Sequence, residues 1–225
     1  MDFYEMLAQN YDNIFPFSQE TADFITSLTP GKGRILDIGS ATGKYISHYI
    51  TKGYKAFGLE YCPKLIAYKD NTVVGDMNFL PFQEGFDTAV CMGNTLVHAA
   101  GYKHAHNILS GIYRLLKTDG KAVIQILNYE KILRQKPMFL PTIKTPQCTF
   151  ERRYEYHGGK VQFIGTLISG SKKMKSEVIL CPITPRELMD MSFESGFRQV
   201  LYYGGSKGEA FDMENSFALT AVLQK

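Results

Sequence analysis

The stretch RILDIGSATGKY, Arg34 to Tyr45, decides how the chain is read. An apolar run carries an acid near its end, Asp37, and breaks into a turn with Gly39, Ala41 and Gly43. An apolar run entering a glycine turn reads as a buried strand, and the residues after the turn as a helix. A dinucleotide loop needs G-x-G-x-x-G, and here the last glycine comes one residue early. The GxxxxGK[ST] phosphate cradle is also missing. Asp37 lies two residues before the turn, where it would oppose a pyrophosphate and suit an ammonium or sulfonium.

Working outward, the first thirty residues read as helices, with Thr21 as the cap of TADFITSL. After the glycine turn, Ile46, Tyr49 and Ile50 fall at helical spacing and Gly53 is placed to stop that helix. KAFGLE is the next strand, CPKLIAYK starts a helix with Pro63 in its first turn, TVVGD is a third strand and FDTAVCMG a fourth. Ala105, Ile108, Leu109, Ile112, Tyr113 and Leu116 follow the helical period, TDG is a turn, and KAVIQIL is a continuous apolar strand. Apolar strands alternating with helices imply an α/β fold with a parallel sheet covered on both faces.

The pattern then changes. Phe150, Tyr154 and Tyr156 alternate with Glu151, Arg153 and Glu155, and Gly158-Gly159 supply a hairpin turn. With KSEVILC as a further strand, residues 146–182 read as an inserted antiparallel meander within one domain of residues 1–225. TPRELMDMSFESG carries a capping box at Thr184 and Glu187, Pro185 in the first turn and Gly196 as the stop. Two strands on the sheet edge finish the chain.

Composition narrows the function classes. The 225 residues are 44% hydrophobic and 21% charged, which suits a globule with a sizeable core. A net charge of +3 is too mild to argue for nucleic acid, and the lysines of SKKMKSE read as a solvated loop. No apolar run approaches the ~20 residues of a membrane span, and MDFYEMLAQNYD lacks the layout of a signal peptide. Cys62, Cys91, Cys148 and Cys181 are far apart, so no metal or disulfide framework is expected and a reducing, cytoplasmic setting is. His104 and His106 have no acid at metal-ligand spacing and read as surface residues. The oligomeric state is not legible.

Two further acids complete a pattern with Asp37. Glu60 ends the second strand, 21 residues after Gly39, where a carboxylate can accept both hydroxyls of a ribose. Asp76 ends the third strand and could accept from an adenine amino group. Open α/β sheets bind ligands at the carboxyl ends of their strands. A ligand with a cationic part, a ribose and an adenine but no phosphate requirement is S-adenosylmethionine.

These stretches resemble, in order, the segments of class I SAM-dependent methyltransferases of the small-molecule group. LAQNYDNIF resembles the opening Y-D segment, ILDIGSATGKY the first motif, and GLEYCPKLI the ribose-binding strand and helix. GDMNFLPFQEGFDTAVCMGNTLVHA resembles the adenine segment with the fourth strand, and ITPRELMDMSFESGF the late helix. The resemblance implies a Rossmann-like seven-stranded, mostly parallel sheet in the order 3-2-1-4-5-7-6, with strand 7 antiparallel. It implies that Gly39, Ser40, Ala41 and Gly43 form the cofactor loop, that Asp37 holds the ammonium and that Glu60 binds the ribose. Tyr61 would pack by the adenine, Asp76 and Met77 address its edge, Met92 sit near the sulfonium, and Tyr11 fold over the cofactor. Ala41 departs from the family's frequent glycine and is expected to avoid positive φ.

GNTLVH and NYEKIL resemble segments of glycine, sarcosine and related amine N-methyltransferases. The acceptor is then expected to be a small molecule methylated at an amine nitrogen, with no membrane partner. Asn94, His98, Asn128 and Tyr129 could position it, His98 and Tyr129 as the catalytic candidates. Arg152 and Arg153 lie on opposite faces of one strand, so at most one faces the cleft; Arg153 is carried as the substrate contact. An NAD(P)-dependent oxidoreductase on the same crevice is opposed by the early glycine and Asp37. A non-catalytic SAM-binding protein is disfavoured by the complete pocket, and a macromolecular acceptor docked on the meander stays open.

Overall fold

The computed structural model describes residues 2–205 and 208–225. Three short N-terminal helices, α1 (Phe3–Leu7), α2 (Tyr11–Ile14) and α3 (Gln19–Leu28), precede β1 (Arg34–Ile38). There follow α4 (Lys44–Thr51), β2 (Lys55–Glu60), β3 (Thr72–Val74), β4 (Phe86–Cys91), α5 (Tyr102–Leu115), β5 (Leu116–Leu127) and α6 (Tyr129–Gln135). Four antiparallel strands come next: β6 (Phe139–Lys144), β7 (Thr149–His157), β8 (Lys160–Ser169) and β9 (Lys172–Leu180). The chain closes with α7 (Pro185–Glu194), β10 (Gln199–Tyr203) and β11 (Ala218–Gln224).

The main sheet has seven strands in the order β10-β11-β5-β4-β1-β2-β3. With the inserted strands set aside, this is the expected 3-2-1-4-5-7-6. β11 runs antiparallel to both β5 and β10, while β1, β2, β3, β4 and β5 pair in parallel. The second sheet, β6-β7-β8-β9, contains the expected meander and one strand more, β6. Its hairpin turns at Gly158 and Gly159, both at positive φ, as the glycine pair foretells.

Side-chain alternation along the strands separates two apolar layers. Ile35, Ala56, Val90, Val123 and Val222 face one side, where Ala22 and Ile25 of α3 and Ile46 and Tyr49 of α4 cover them. Leu36, Leu59, Ala89, Ala122 and Ile124 face the other, under Ile108, Leu109 and Ile112 of α5 and Leu188 and Met191 of α7. The amphipathic α1 has its own seat. Phe3, Met6 and Leu7 pack with Phe150 of β7 and Leu167 of β8, so α1 is held by the second sheet.

Local signals are borne out with three corrections. The capping box of α7 is present, with Thr184 and Glu187 bonded reciprocally and Pro185 in the first turn. The cap of α3, however, is Ser18, whose hydroxyl accepts the Thr21 N–H, and not Thr21. The expected helix at Pro63 does not form. Its Ala67 and Tyr68 N–H groups donate instead to the Thr42 carbonyl (3.3 and 3.1 Å), so the segment serves the glycine loop rather than its own ladder. The expected turn at Thr118–Gly120 lies inside β5, which kinks at Asp119 (φ 63°) and shifts register against β4.

Candidate functional site

The glycine turn after β1 is strapped to the end of β2. The N–H groups of Gly39 and Ser40 both donate to the Leu59 carbonyl (2.7 and 3.1 Å). Gly39 and Gly43 sit at φ 77° and 81°, and Gly43 opens α4 from the left-handed region. A Cβ at Gly39 would come within 2.7 Å of the Thr95 side chain, and one at Gly43 within 2.8 Å of Tyr68 Cβ. Ala41 is itself at φ 49°, against expectation. Its N–H is what holds it there, donating to Glu60 Oε2 at 2.8 Å.

Glu60 is the centre of the arrangement. One carboxylate oxygen accepts from Ala41 N–H and the other from Cys62 N–H, each at 2.8 Å. Burial pushes the carboxyl up from its ordinary value, and the N–H groups of Cys62, Ala41 and Tyr61 oppose that shift. Each oxygen keeps a free lone pair, so an aimed, bidentate acceptor remains. Asp37 is deeper, 7% exposed, and its pKa is pushed to about 7 by burial and then by the Glu60 charge. Asp76 is half-exposed, and its Oδ1 accepts from both nitrogens of Asn78 (2.8 and 2.7 Å), which fixes the side chain.

A cavity of about 320 Å³ lies over the ends of these strands. Tyr11, Gly39, Ala41, Glu60, Tyr61, Asp76, Met77 and His98 line it, all of them legible in the sequence. Asp12, the partner of Tyr11 in the YD segment, explains how α2 is placed. It accepts from Thr42 Oγ1 at 2.7 Å and pairs with Lys44 at 3.1 Å, tying α2 to the glycine loop.

Other predicted residues fall outside the cavity wall. Asp37 is buried beneath the loop, Gly43 ends it at the start of α4, and Ser40 turns its hydroxyl under it, where a Cβ on Gly58 would stand 2.6 Å away. Met92 packs with the Ile46 and Tyr49 layer instead of the cavity; the neighbouring Gly93 and Thr95 supply the wall. Asn94 bridges strand ends, donating to Tyr129 Oη (3.0 Å) and accepting from Leu127 N–H (3.1 Å). Tyr129 is fully buried, and burial holds its phenol well above the ordinary range. Asn128 caps α6 and donates to the carbonyls of Met213 and Ser216, which accounts for its amide. Arg153 pairs with Glu155 at 2.6 Å on the outer face of β7, while Arg152 shares the face of Phe150 and Tyr154 and donates to the Pro141 carbonyl. His106 is half-buried rather than on the surface, with Nε2 4.0 Å from Glu194.

Part of the wall was not foreseen. Asp2, Phe3 and Tyr4 of the α1 region and Glu177 and Val178 of β9 close the cavity, with Leu65, Asn78 and Thr95. Tyr4 Oη lies 2.8 Å from His98 Nε2. Burial lowers the His98 pKa to about 4, so the imidazole is neutral at physiological pH. The amphipathic FYEML was a signal for α1, but nothing local ties it to His98.

The donor set fits S-adenosylmethionine. Glu60 presents two oriented acceptors, Asp76 an oriented edge, and Gly39 a close backbone approach without a Cβ. Among the described residues, no group of three or more His, Cys, Asp or Glu is arranged to hold a metal. No helix among the described residues is long and apolar enough to cross a membrane.

Residues 36–124 match the family model of a methyltransferase domain. The glycine/sarcosine N-methyltransferase of Aphanothece halophytica is 26% identical over 149 residues, 59% of this chain and 56% of that protein. The chain thus spans little more than half the length of that relative. The CcbJ methyltransferase of Streptomyces caelestis superposes with a TM-score of 0.78 at 19% identity, over 96% of this chain and 95% of that one. The sugar N-methyltransferase KedS8 of Streptoalloteichus gives 0.72 at 14% identity, over 100% and 94%. Residues 36–124 thus match a methyltransferase domain, and the chain shares the fold of methyltransferases of known structure and resembles the glycine/sarcosine N-methyltransferases.

Proposed function

We propose that the chain transfers the methyl group of S-adenosylmethionine to an amine nitrogen of a small molecule, as one unit whose antiparallel sheet is an insertion. The observation that carries this reading is the Glu60 clamp: a buried carboxylate aimed by Ala41 and Cys62 N–H beside a glycine turn and Asp76. The relative from Aphanothece and the sugar enzyme both act at nitrogen by their names, which supports the acceptor class. The oxidoreductase reading finds no comparable support.

When bound, the cofactor supplies a methyl on a cationic sulfur, already a good electrophile. What remains for the chain is alignment and exclusion of water. In this reading Glu60 accepts from the ribose hydroxyls, Asp76 from the adenine amino group, and Tyr11, Tyr61 and Met77 cover the cofactor. Asp37, beneath the loop, supplies negative potential to the amino-acid end. Neutral His98, bonded to Tyr4, gives the acceptor a polar surface and is too weak a base at pH 7 to be charged. Tyr129, raised in pKa and bonded to Asn94, supports the wall from behind.

Calorimetric titration with S-adenosylhomocysteine tests the cofactor half. Saturable binding is expected, and its absence at millimolar concentration would sink the proposal. Mass spectrometry of pooled amines, phenols and acids tests the acceptor half, with one added methyl confined to amines as the expected result.

A further inference from the structure

The charges around the cavity carry a second step, which rests on the methyltransferase reading. Asp2, Glu60, Asp76 and Glu177 line it, and no lysine or arginine does among the described residues. The nearby cations are committed elsewhere. Lys44 pairs with Asp12 and Lys64 with Glu5, both at 3.1 Å, and Arg153 pairs with Glu155 at 2.6 Å. Lys160 Nζ donates to the Ala100 carbonyl (2.7 Å) and Arg152 to that of Pro141 (2.5 Å).

The titrating groups of the wall feel the same field. The Tyr4 phenol is raised by burial and then by Tyr11, Glu60 and Asp2, and Tyr11 by burial and then by Glu60, Asp37, Asp12 and Tyr45. No cation contributes at either phenol. At His98 the one charge that acts is Asp2. Among the described residues of the wall, a carboxylate on the acceptor would therefore meet acids and neutral polar groups, with no lysine or arginine to receive it.

We propose that the acceptor is an amine carrying no carboxylate, drawn in as its ammonium ion by Asp2 at the Tyr4–His98 end of the cavity. Amino alcohols, aralkylamines and amino sugars belong to this class; glycine and other amino acids do not. The ammonium sheds one proton to water as it meets the cationic cofactor, whose charge opposes a second cation. The freed nitrogen lone pair forms the new C–N bond, and the C–S pair returns to sulfur as a neutral thioether. One N-methylammonium and one proton leave for each ammonium consumed.

The test uses the full chain and three pairs of probes that differ by a carboxylate: ethanolamine and serine, phenethylamine and phenylalanine, glucosamine and glucosaminic acid. Binding to the protein loaded with S-adenosylhomocysteine is followed by saturation-transfer NMR, and methyl transfer from S-adenosylmethionine by mass spectrometry. In at least one pair the member without the carboxylate is expected to bind and react at least tenfold better. Asp2→Ser removes the charge but keeps a capping oxygen for α1, and is expected to cut that preference at least threefold. Equal or reversed ranking within the pairs, or no binding of any probe at 10 mM, overturns the proposal while saturable S-adenosylhomocysteine binding leaves the cofactor reading standing. Absence of S-adenosylhomocysteine binding overturns both.

Discussion

Tyr4 Oη and His98 Nε2 lie 2.8 Å apart although 94 positions separate them in the chain. The bond joins α1, which the second sheet holds through Phe3, to the loop that follows β4. It encloses His98 enough to lower its pKa to about 4. An unfolded histidine titrates near 6.5, so the unfolded chain binds the extra proton first as pH falls. Stability from this group is full above about pH 6.5 and is lost between there and about pH 4, by up to roughly 3 kcal/mol. Urea denaturation of the wild type at pH 8 and pH 5 should show the loss, and His98→Gln should remove that part of it.

Asp37 titrates in the opposite sense. Its folded pKa of about 7 lies above the ordinary carboxylate value, so the native state holds the proton more tightly and stability from this group falls as pH rises from about 4 to 7. Asp37→Asn should therefore stabilise the free protein more at pH 8 than at pH 5. A cationic ligand above the loop needs the ionised form, so S-adenosylmethionine binding should tighten from pH 6 to pH 8 and release a proton. Calorimetry in buffers of different ionisation enthalpy reads that proton, and pH-independent binding would remove Asp37 from the site.

These two groups also mark what the sequence could and could not convey. Asp37 belongs to a local pattern, an acid two residues before a glycine turn, and the strands and helices around it follow periods of two and 3.6 that a reader can count. The same holds for Glu60 and Asp76, because strand ends place side chains by short-range rules. Tyr4 reaches His98 only because α1 docks on Phe150 and Leu167 of a sheet formed some 150 residues later. Pro63 shows the converse failure: a good helix start was overridden when Ala67 and Tyr68 N–H found the Thr42 carbonyl. Asn94 and Asn128 suit a substrate contact and a structural tie equally well in sequence, because their partners across the chain, Tyr129 and the carbonyls of Met213 and Ser216, come from distant segments.

Ala41 is left-handed at φ 49°, a conformation that costs a residue with a Cβ about 1–2 kcal/mol. Ala41→Gly removes that strain but loosens the unfolded chain, so a net gain of about 0.5–1 kcal/mol is expected. The N–H bond to Glu60 survives the change. Thermal or urea unfolding should show the gain with cofactor binding retained, and a loss of stability would mean that the methyl group contributes more by packing than it costs in strain.

Glu60→Gln tests the clamp most directly, because the side chains are nearly the same size. The carboxylate accepts from Ala41 N–H with one oxygen and from Cys62 N–H with the other. An amide has only one acceptor, so its NH₂ would face one of those donors and leave it unsatisfied, at a cost of about 1–3 kcal/mol. The same NH₂ cannot accept a ribose hydroxyl. Folding stability should therefore fall modestly, and affinity for S-adenosylhomocysteine should fall at least tenfold. Measured together by unfolding and calorimetry, the two losses separate: reduced stability with unchanged affinity would make Glu60 a brace for the glycine loop and move the ribose contact elsewhere.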